Sequence, residues 1–405
     1  MRASTYPLVD AAEAAELVLA RTPVLPAETL HLADCPGRVA AEDVVAPADL
    51  PAFPASAVDG YAVRSADGGG QLRVAGESAA GRPFTGELPA REAARILTGG
   101  VLPAGADTVV MVEDVEQGPD WVVVPQGLAA GRNFHRPGDD LRRGDVLVRR
   151  GQRLGPAELG LAAAVGLATL PVHRRPRVAL MSTGDELVEV GMTPGPGQIT
   201  DSNRWALLAA LREAGADVAL LGVAPDRPEP LRALVVEALH GHDALVTSGG
   251  VSVGTHDLVK PLLESLGEVH IGRVRLRPGK PFTFATLPED RLAFGLPGFP
   301  VSSLVTFEVF VRPALRRMQG FAAVHRPTLP VRLAYEARSS VDRTEYQRVT
   351  LAREGGELVA RSTGSQSSSR LLSLAGAHAL VRVPPGDGGL AAGSVVEAII
   401  LSLPD

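Results

Sequence analysis

The sequence contains a single cysteine, Cys35, in 405 residues. An internal disulfide framework and a cysteine-rich zinc site both need more than one cysteine, so both are excluded. We interpret Cys35 as an ordinary small apolar residue beside a turn, with a catalytic thiol as the minor alternative. The 9 histidines are scattered and lack the spacing of a zinc hydrolase, and residue order alone supports no Ser-His-Asp arrangement.

Long apolar runs are also missing. No stretch approaches the roughly 18 apolar residues that a membrane-spanning helix requires, because Arg, Asp or Gly interrupts each candidate. The N-terminal residues include Asp10 and Glu13 and do not show a basic segment followed by an apolar one, as a signal peptide would. These features predict a cytoplasmic protein with no membrane partner.

The charge balance is mildly acidic. With 40 basic and 46 acidic side chains the formal net charge is −6, which argues against non-specific binding to a polyanion and predicts no nucleic-acid partner. A small anionic substrate remains compatible, since a basic pocket can form within an acidic protein. Apolar residues at 45% and charged residues at 21% indicate a globular chain, and its length allows two to four domains at about 150 residues each.

The pattern of apolar and turn-forming residues changes along the chain. Residues 176–320 alternate apolar strands with capped helices, which predicts βαβ crossovers and a mostly parallel sheet with helices on both faces. Short strands separated by Gly and Pro clusters occupy the regions before and after it, as in small β domains. The pattern predicts a helix across 150–172, and we expect it to pack back on the N-terminal helix. The predicted parts are a helical or linker region at 1–48 and 148–175, an inserted β domain at 49–147, an α/β domain at 176–325 and a C-terminal β domain at 326–405.

Polar loops follow the predicted strands of the α/β domain, at the edge where ligands bind in such sheets. These loops carry Thr183, Glu186, Asp226, Gly249, Gly250, Ser252, Asp257, Arg277, Lys280 and Ser302. A glycine-rich loop that leads into a helix can hold a phosphate with its backbone N–H groups, although a purely structural turn is the alternative for SGGVSVG taken alone.

The charged members of these loops point to two kinds of chemistry. Glu186, Asp226 and Asp257 suit Mg²⁺, which takes oxygen ligands and bridges to phosphate. The alternative for each acid alone is a helix cap or a solvated charge. Arg277 and Lys280 flank Pro-Gly in a rigid turn and could hold an oxyanion, with a solvated basic turn as the alternative.

Several motifs together identify a family. The match runs in order from about residue 5 to the C-terminus, and the motifs that carry it are SAVDGYAVR, ILTGGVLPAGADTVV, RPGDDLRRGD, STGDEL, DSN, SGGVSVGTHDLVK, RPGKPFTF and LPGFPVSS. This set closely resembles the molybdopterin molybdenumtransferases, the bacterial MoeA-type proteins that are similar to the E domain of gephyrin. Composition alone would describe the first two motifs as structural turns.

The resemblance implies a fold, an assembly and a reaction. It implies an elongated helical region, an inserted β domain, a molybdopterin-binding α/β domain and a C-terminal β domain, assembled as a homodimer with the active cleft between subunits. It implies insertion of molybdate into the dithiolene of adenylyl-molybdopterin with Mg²⁺-dependent release of AMP. A molybdopterin adenylyltransferase is an expected partner.

The resemblance also assigns residue roles, which we combine with the strand-end residues. The expected catalytic residues are Asp59, Asp140, Glu186, Asp226 and Asp257, of which Glu186, Asp226 and Asp257 would also bind metal. The expected substrate-binding residues are Thr98, Thr183, Gly249, Gly250, Ser252, Arg277, Lys280, Ser302, Arg348 and Ser368.

Two positions depart from the family pattern. Phe299 replaces the usual Asn of a Pro-Gly-Asn-Pro turn, and Arg277 replaces a frequent Lys. Pro300 favours an extended residue 299, so Phe299 can keep the backbone path but cannot supply the hydrogen bonds of an amide. We therefore expect Phe299→Asn to retain or raise activity, the alternative being that Phe299 packs against the pterin or a neighbouring apolar group. A non-catalytic pterin-binding or scaffold protein and a molybdopterin adenylyltransferase are the competing functions.

Overall fold

The computed structural model describes residues 6–250 and 258–404. The predicted site residues Ser252 and Asp257 lie outside the described residues. The described chain forms two compact units, one from the described parts of Met1–Glu28 and His173–Asp405 and the other from Thr29–Val172.

A six-stranded sheet forms the centre of the first unit. Four neighbouring strands are parallel, and two antiparallel strands continue the sheet on one side. In sheet order the strands are Asp217–Ala224, Arg177–Thr183, Ala244–Ser248, Arg291–Leu296, Thr283–Leu287 and Glu268–Ile271. The predicted mostly parallel sheet is confirmed.

Helices cover both faces of this sheet, as predicted. Successive residues of one strand point to opposite faces, so Val178 and Leu180 enter one core while Ala179 and Met181 enter the other. One face packs against the helices Ala11–Ala20, Asn203–Glu213, Pro300–Thr306 and Arg312–Met318, and the other against Pro228–Leu239 and Val259–Leu266. Both faces of the strand Arg177–Thr183 are therefore shielded from water by helices, which explains the apolar run in its sequence.

The predicted long helix after the last parallel strand contains a wide turn. The α-helices Pro300–Thr306 and Arg312–Met318 are joined by a π-helical segment, Phe307–Val311. Pro313 follows directly, and in a regular helix its ring would clash with the carbonyl of Val309. The wider turn relieves that clash.

The C-terminal β domain is a small barrel. Its strands, in order of pairing, are Thr344–Glu354, Glu357–Ser362, Thr328–Leu333, Val395–Ile400 and Ala379–Val383, and the last pairs again with the first. A short strand, Leu276–Arg277, joins the barrel by parallel pairing with Thr344 and Glu345. The segment that enters the RPGKP loop is thereby fixed to the barrel wall.

The second unit is mostly β-structure. Its main sheet contains, in order, Thr108–Met111, Gly60–Val63, Glu92–Ile96, Gly70–Ser78, Trp121–Val124 and Glu116–Gln117. Smaller pairs are Ala55–Ser56 with Phe134–His135 and Val44–Val45 with Val146–Val148. The strands Ala27–His31 and Thr169–His173 form another two-stranded sheet, and the helix is Pro156–Ala164.

One local expectation is wrong. The helix predicted across 150–172 covers only Pro156–Ala164, because the chain turns at Gly166 and re-enters a strand at Thr169. That helix buries Ala162 in the core of the second unit, and its expected packing against the N-terminal helix, which belongs to the first unit, stays a prediction. The multidomain fold is confirmed, while the detailed domain boundaries stay a prediction.

None of the helices in the described part of the chain is both long and apolar enough to cross a membrane.

Candidate active site

A cleft of about 1080 Å³ opens at the carboxyl edge of the six-stranded sheet, within the first unit. The strand-end loops form most of its wall, and residues 343 and 366–369 of the C-terminal domain complete it. The cleft brings together the following predicted site residues: Thr183, Glu186, Asp226, Gly249, Gly250, Arg277, Lys280, Ser302 and Ser368.

Strand order sets the layout of the cleft. Asp226 and Glu186 follow two neighbouring strands at one side of the sheet. Lys280 precedes Thr283–Leu287, which lies three strands away from Arg177–Thr183. At ~4.8 Å between strands, the acidic and basic loops leave the sheet roughly 14 Å apart. The cleft therefore has an acidic end and a basic end, with Gly249 and Gly250 between them.

The acidic end presents oxygen atoms. The carboxylate of exposed Glu186 folds back over Gly184, where a Cβ would lie 2.5 Å from Glu186 Oε2. Asp185 Oδ1 accepts a hydrogen bond of 3.2 Å from the backbone N–H of Asp226 and so holds the two acidic loops together. The Thr183 hydroxyl is buried beside them and has no hydrogen-bond partner among the described residues. Carboxylates and a hydroxyl provide the hard oxygen donors that Mg²⁺ prefers.

The basic end contains three cations in different states of pairing. Arg277 Nη1 lies 3.4 Å from Oε2 of buried Glu345, and Arg343 Nε lies 3.4 Å from Asp342 Oδ1. Lys280 is exposed to the cleft and makes no ion pair with any residue that the structure describes. Its positive charge is consequently the least compensated of the three.

Gly279 fixes the loop that carries Lys280. Its φ of +123° lies in a region that other residues rarely adopt, and a Cβ there would lie 2.5 Å from Thr306 Cγ2. The Lys280 carbonyl accepts hydrogen bonds from Val274 N at 3.0 Å and Phe282 N at 3.2 Å. The backbone at Lys280 is therefore held against the helix Pro300–Thr306, on which Ser302 lies.

Arg348 does not line the cleft, although the resemblance implies that it binds substrate. It is fully buried behind the cleft wall, and burial lowers the pKa of its guanidinium to about 10. Its Nη2 donates to Ser367 O and its Nε to Ser373 Oγ, both at 3.2 Å. Arg348 thus supports the serine loop 366–369 from behind and does not line the cleft. Within that loop, Ser368 O accepts a hydrogen bond of 3.1 Å from Val301 N.

Several further cleft residues were missing from the predicted set, and three of them have side chains suited to binding or positioning. Asn203 Nδ2 donates to Ser248 Oγ at 2.8 Å and to Gly298 O at 2.7 Å, and so ties two strand-end loops together. The DSN motif contained this residue without indicating its role. Arg343 and Gln366 also line the cleft. Both come from the C-terminal domain, where no strand-helix alternation marks a ligand edge.

Asp59, Thr98 and Asp140 lie in the second unit. Asp59 Oδ1 accepts hydrogen bonds from Thr98 N at 2.7 Å and Thr98 Oγ1 at 2.8 Å. Both donors lower the pKa of Asp59 because they hydrogen-bond to its charged form. The backbone N–H of Thr98 has the larger effect and the Thr98 hydroxyl the smaller one. Asp140 is exposed, and its backbone N–H donates to Leu50 O at 3.0 Å.

Thr98→Val tests this pair. We expect the pKa of Asp59 to rise, because one donor to the carboxylate is lost, but to remain below its ordinary value, because the backbone N–H still donates. Thr98→Ser keeps the hydroxyl and should leave the pKa low. A carboxyl NMR titration of Asp59 measures the difference, and an unchanged pKa in Thr98→Val would contradict the contribution of the hydroxyl.

Within the described ranges, no set of three or more His, Cys, Asp or Glu side chains is grouped as a metal site. Glu186 and Asp226 both line the cleft, while the third expected metal ligand, Asp257, lies outside the described residues. Mg²⁺ commonly takes one or two carboxylates plus substrate phosphates, so the donors present fit such an ion.

The fold and the cleft define a multidomain protein whose α/β domain has a cleft with charged and polar lining residues at the carboxyl edge of its sheet. Three family profiles match the chain in succession: the MoeA N-terminal region (domains I and II) over 9–166, a probable molybdopterin-binding domain over 179–317, and the MoeA C-terminal region (domain IV) over 330–401.

Individual proteins of this family are similar to the chain over most of its length. A molybdopterin molybdenumtransferase from Haemophilus influenzae is 37% identical over 374 residues, which cover 91% of this chain and 92% of the relative. Gephyrin from Dictyostelium discoideum is 35% identical over 453 residues, covering 99% of this chain but 63% of gephyrin. The crystal structure of a MoeA protein from Pyrococcus horikoshii superposes with a TM-score of 0.84 at 34% identity and covers 97% of this chain and 99% of that one. The chain belongs to the molybdopterin molybdenumtransferase family.

Proposed function

We propose that this chain inserts molybdate into adenylyl-molybdopterin and releases AMP, as a molybdenum insertase of molybdenum cofactor biosynthesis. The observation that carries the proposal is the layout of the cleft, with oxygen donors at one end and, at the other, a lysine that forms no ion pair with the described residues. Adenylyl-molybdopterin carries phosphate groups and, at a separate position, a dithiolene that accepts the metal. A cleft with one end suited to Mg²⁺ and phosphate and the other suited to molybdate fits such a substrate.

The basic end suits molybdate, a tetrahedral dianion. Lys280 supplies a point charge and Arg277 a planar fork of donors, while the Ser302 hydroxyl can donate to another oxygen. Arg348 acts here through the serine loop that it supports and not by direct contact. Held in this way, molybdate would lie beside the dithiolene.

The acidic end suits the phosphates of the adenylyl group together with Mg²⁺. Glu186 and Asp226 would hold the ion, with Thr183 beside them, and the ion would neutralise charge on the phosphates and on the departing AMP. The Gly249–Gly250 turn leaves room for the substrate to approach the sheet edge. Asp257 and Ser252 remain predicted members of this site, as do Asp59, Thr98 and Asp140 through the family resemblance.

The assembly and location follow from the same resemblance. We propose a homodimer in the cytoplasm that accepts its substrate from a molybdopterin adenylyltransferase. Sedimentation of the purified chain tests the dimer. A single species at the mass of one chain, 42.2 kDa, would contradict it.

The direct test of function is AMP release. Purified protein is incubated with adenylyl-molybdopterin, Mg²⁺ and molybdate, and we expect AMP to appear together with molybdenum cofactor that activates a cofactor-free molybdoenzyme. Binding of adenylyl-molybdopterin without AMP release would favour a non-catalytic pterin-binding protein. Pyrophosphate release from ATP and molybdopterin would favour an adenylyltransferase.

A further inference from the structure

An aromatic side chain lies on the cleft wall at a helix N-cap, where a polar side chain would stabilise the helix more. Phe299 is 60% exposed, lines the cleft and stands at the N-cap of the helix Pro300–Thr306. N-cap positions favour Ser, Thr, Asp or Asn, whose side chains hydrogen-bond the first turn, and Phe299 makes no such bond. Its side chain also belongs to none of the hydrophobic cores formed by the described residues.

The backbone around this ring is held firmly. Asn203 Nδ2 donates to the carbonyl of neighbouring Gly298 at 2.7 Å, and the Phe299 carbonyl accepts from Ser303 N at 2.9 Å. Prolines stand at 297 and 300. The ring is thus presented from a fixed turn, and ordering it on binding costs the rotation of only two side-chain bonds.

The position of the turn at residues 297–300 determines which part of a bound ligand the Phe299 ring can contact. Phe299 follows the strand Arg291–Leu296, which lies between the strands that lead to the acidic and basic ends. An exposed aromatic ring in the middle of a polar cleft is suited to a flat ring system and not to a phosphate or molybdate.

We propose that Phe299 is a specificity-determining residue that stacks on a planar heteroaromatic ring of the substrate. This proposal rests on the proposed function, because adenylyl-molybdopterin carries two such rings, the pterin and the adenine. It reverses the expectation drawn from the sequence that Asn would serve equally well at this position.

Binding of single-ring probes tests the proposal without requiring turnover. The affinities of AMP alone and of neopterin alone are measured for the wild type, Phe299→Leu and Phe299→Tyr, with quenching of neopterin fluorescence as the signature of stacking. Phe299→Leu keeps an apolar side chain but loses the ring, so we expect about 2- to 12-fold weaker binding of one probe. Phe299→Tyr restores the ring and should restore the affinity. The probe that responds identifies the ring.

The matched control is Trp205→Leu, which removes an exposed aromatic ring that does not line the cleft and should change neither affinity. Wild-type affinity for both probes in Phe299→Leu would overturn the proposal, as would a Phe299→Tyr variant as weak as Phe299→Leu. A wild-type chain that binds neither probe would contradict the proposed function itself, and with it the stacking. Failure of the stacking alone would leave both probes bound normally by every variant.

Discussion

Lys280→Ala should raise the molybdate concentration needed for half-maximal insertion by about 10- to 150-fold. That range corresponds to the loss of one charge-assisted contact, about 1.5–3 kcal/mol. Lys280 should matter more than Arg277, because Glu345 already compensates the Arg277 guanidinium at 3.4 Å whereas no described carboxylate pairs with Lys280. The loop cannot move easily to bring in another cation, since Gly279 packs against Thr306.

The experiment compares AMP release against molybdate concentration in wild type, Lys280→Ala and Arg353→Ala. Arg353 is an exposed barrel residue that does not line the cleft, so its variant controls for the loss of one positive charge. Affinity for adenylyl-molybdopterin should change much less than the molybdate dependence. Equal molybdate dependence in wild type and Lys280→Ala would refute the placement, and a loss confined to pterin binding would reassign Lys280 to the substrate phosphates.

The α/β domain was predictable from the sequence because its signals are local. An apolar run such as 177–183 has buried neighbours on both faces, and the carboxyl ends of parallel strands must meet at one edge. Glu186 and Asp226 follow parallel strands and line the cleft as this rule predicts, whereas Lys280 reaches the same edge for another reason, because it follows a strand of the barrel and precedes the antiparallel strand Thr283–Leu287. Strand order was not predictable in this way, and it is strand order that separates the acidic from the basic end.

Residues whose role depends on distant contacts were missed or misplaced. The family resemblance places Arg348 among the substrate-binding residues, yet the barrel buries it behind the serine loop. Asn203 lies at a helix start, where an N-cap role would be expected, and its amide instead joins loops 45 and 95 residues away. The Phe299 ring could be noticed as a departure from the family, but only the structure shows that it faces the cleft.

Glu186→Gln should raise the Mg²⁺ concentration needed for half-maximal AMP release by at least about 10-fold, since changes around a metal site commonly cost 10- to 100-fold in metal affinity or activity. Gln keeps the size and shape of Glu but loses its negative charge, and a hard cation binds an amide oxygen less strongly than a carboxylate. Because Glu186 is exposed, the free energy of unfolding should change by less than about 0.5 kcal/mol.

Two further variants separate charge from position. Glu237→Gln removes a carboxylate from the exposed side of the helix Pro228–Leu239, outside the cleft, and should leave the Mg²⁺ dependence unchanged. Gly184→Ala keeps the Glu186 charge but places a Cβ within 2.5 Å of its carboxylate oxygen, which must then move, and it also strains the loop backbone, because the φ of Gly184 is +146°. If the location of that carboxylate matters, Gly184→Ala should also raise the Mg²⁺ requirement. Normal turnover of Glu186→Gln at limiting Mg²⁺ would remove this residue from the metal site and leave Asp226 as the remaining expected metal ligand among the described residues.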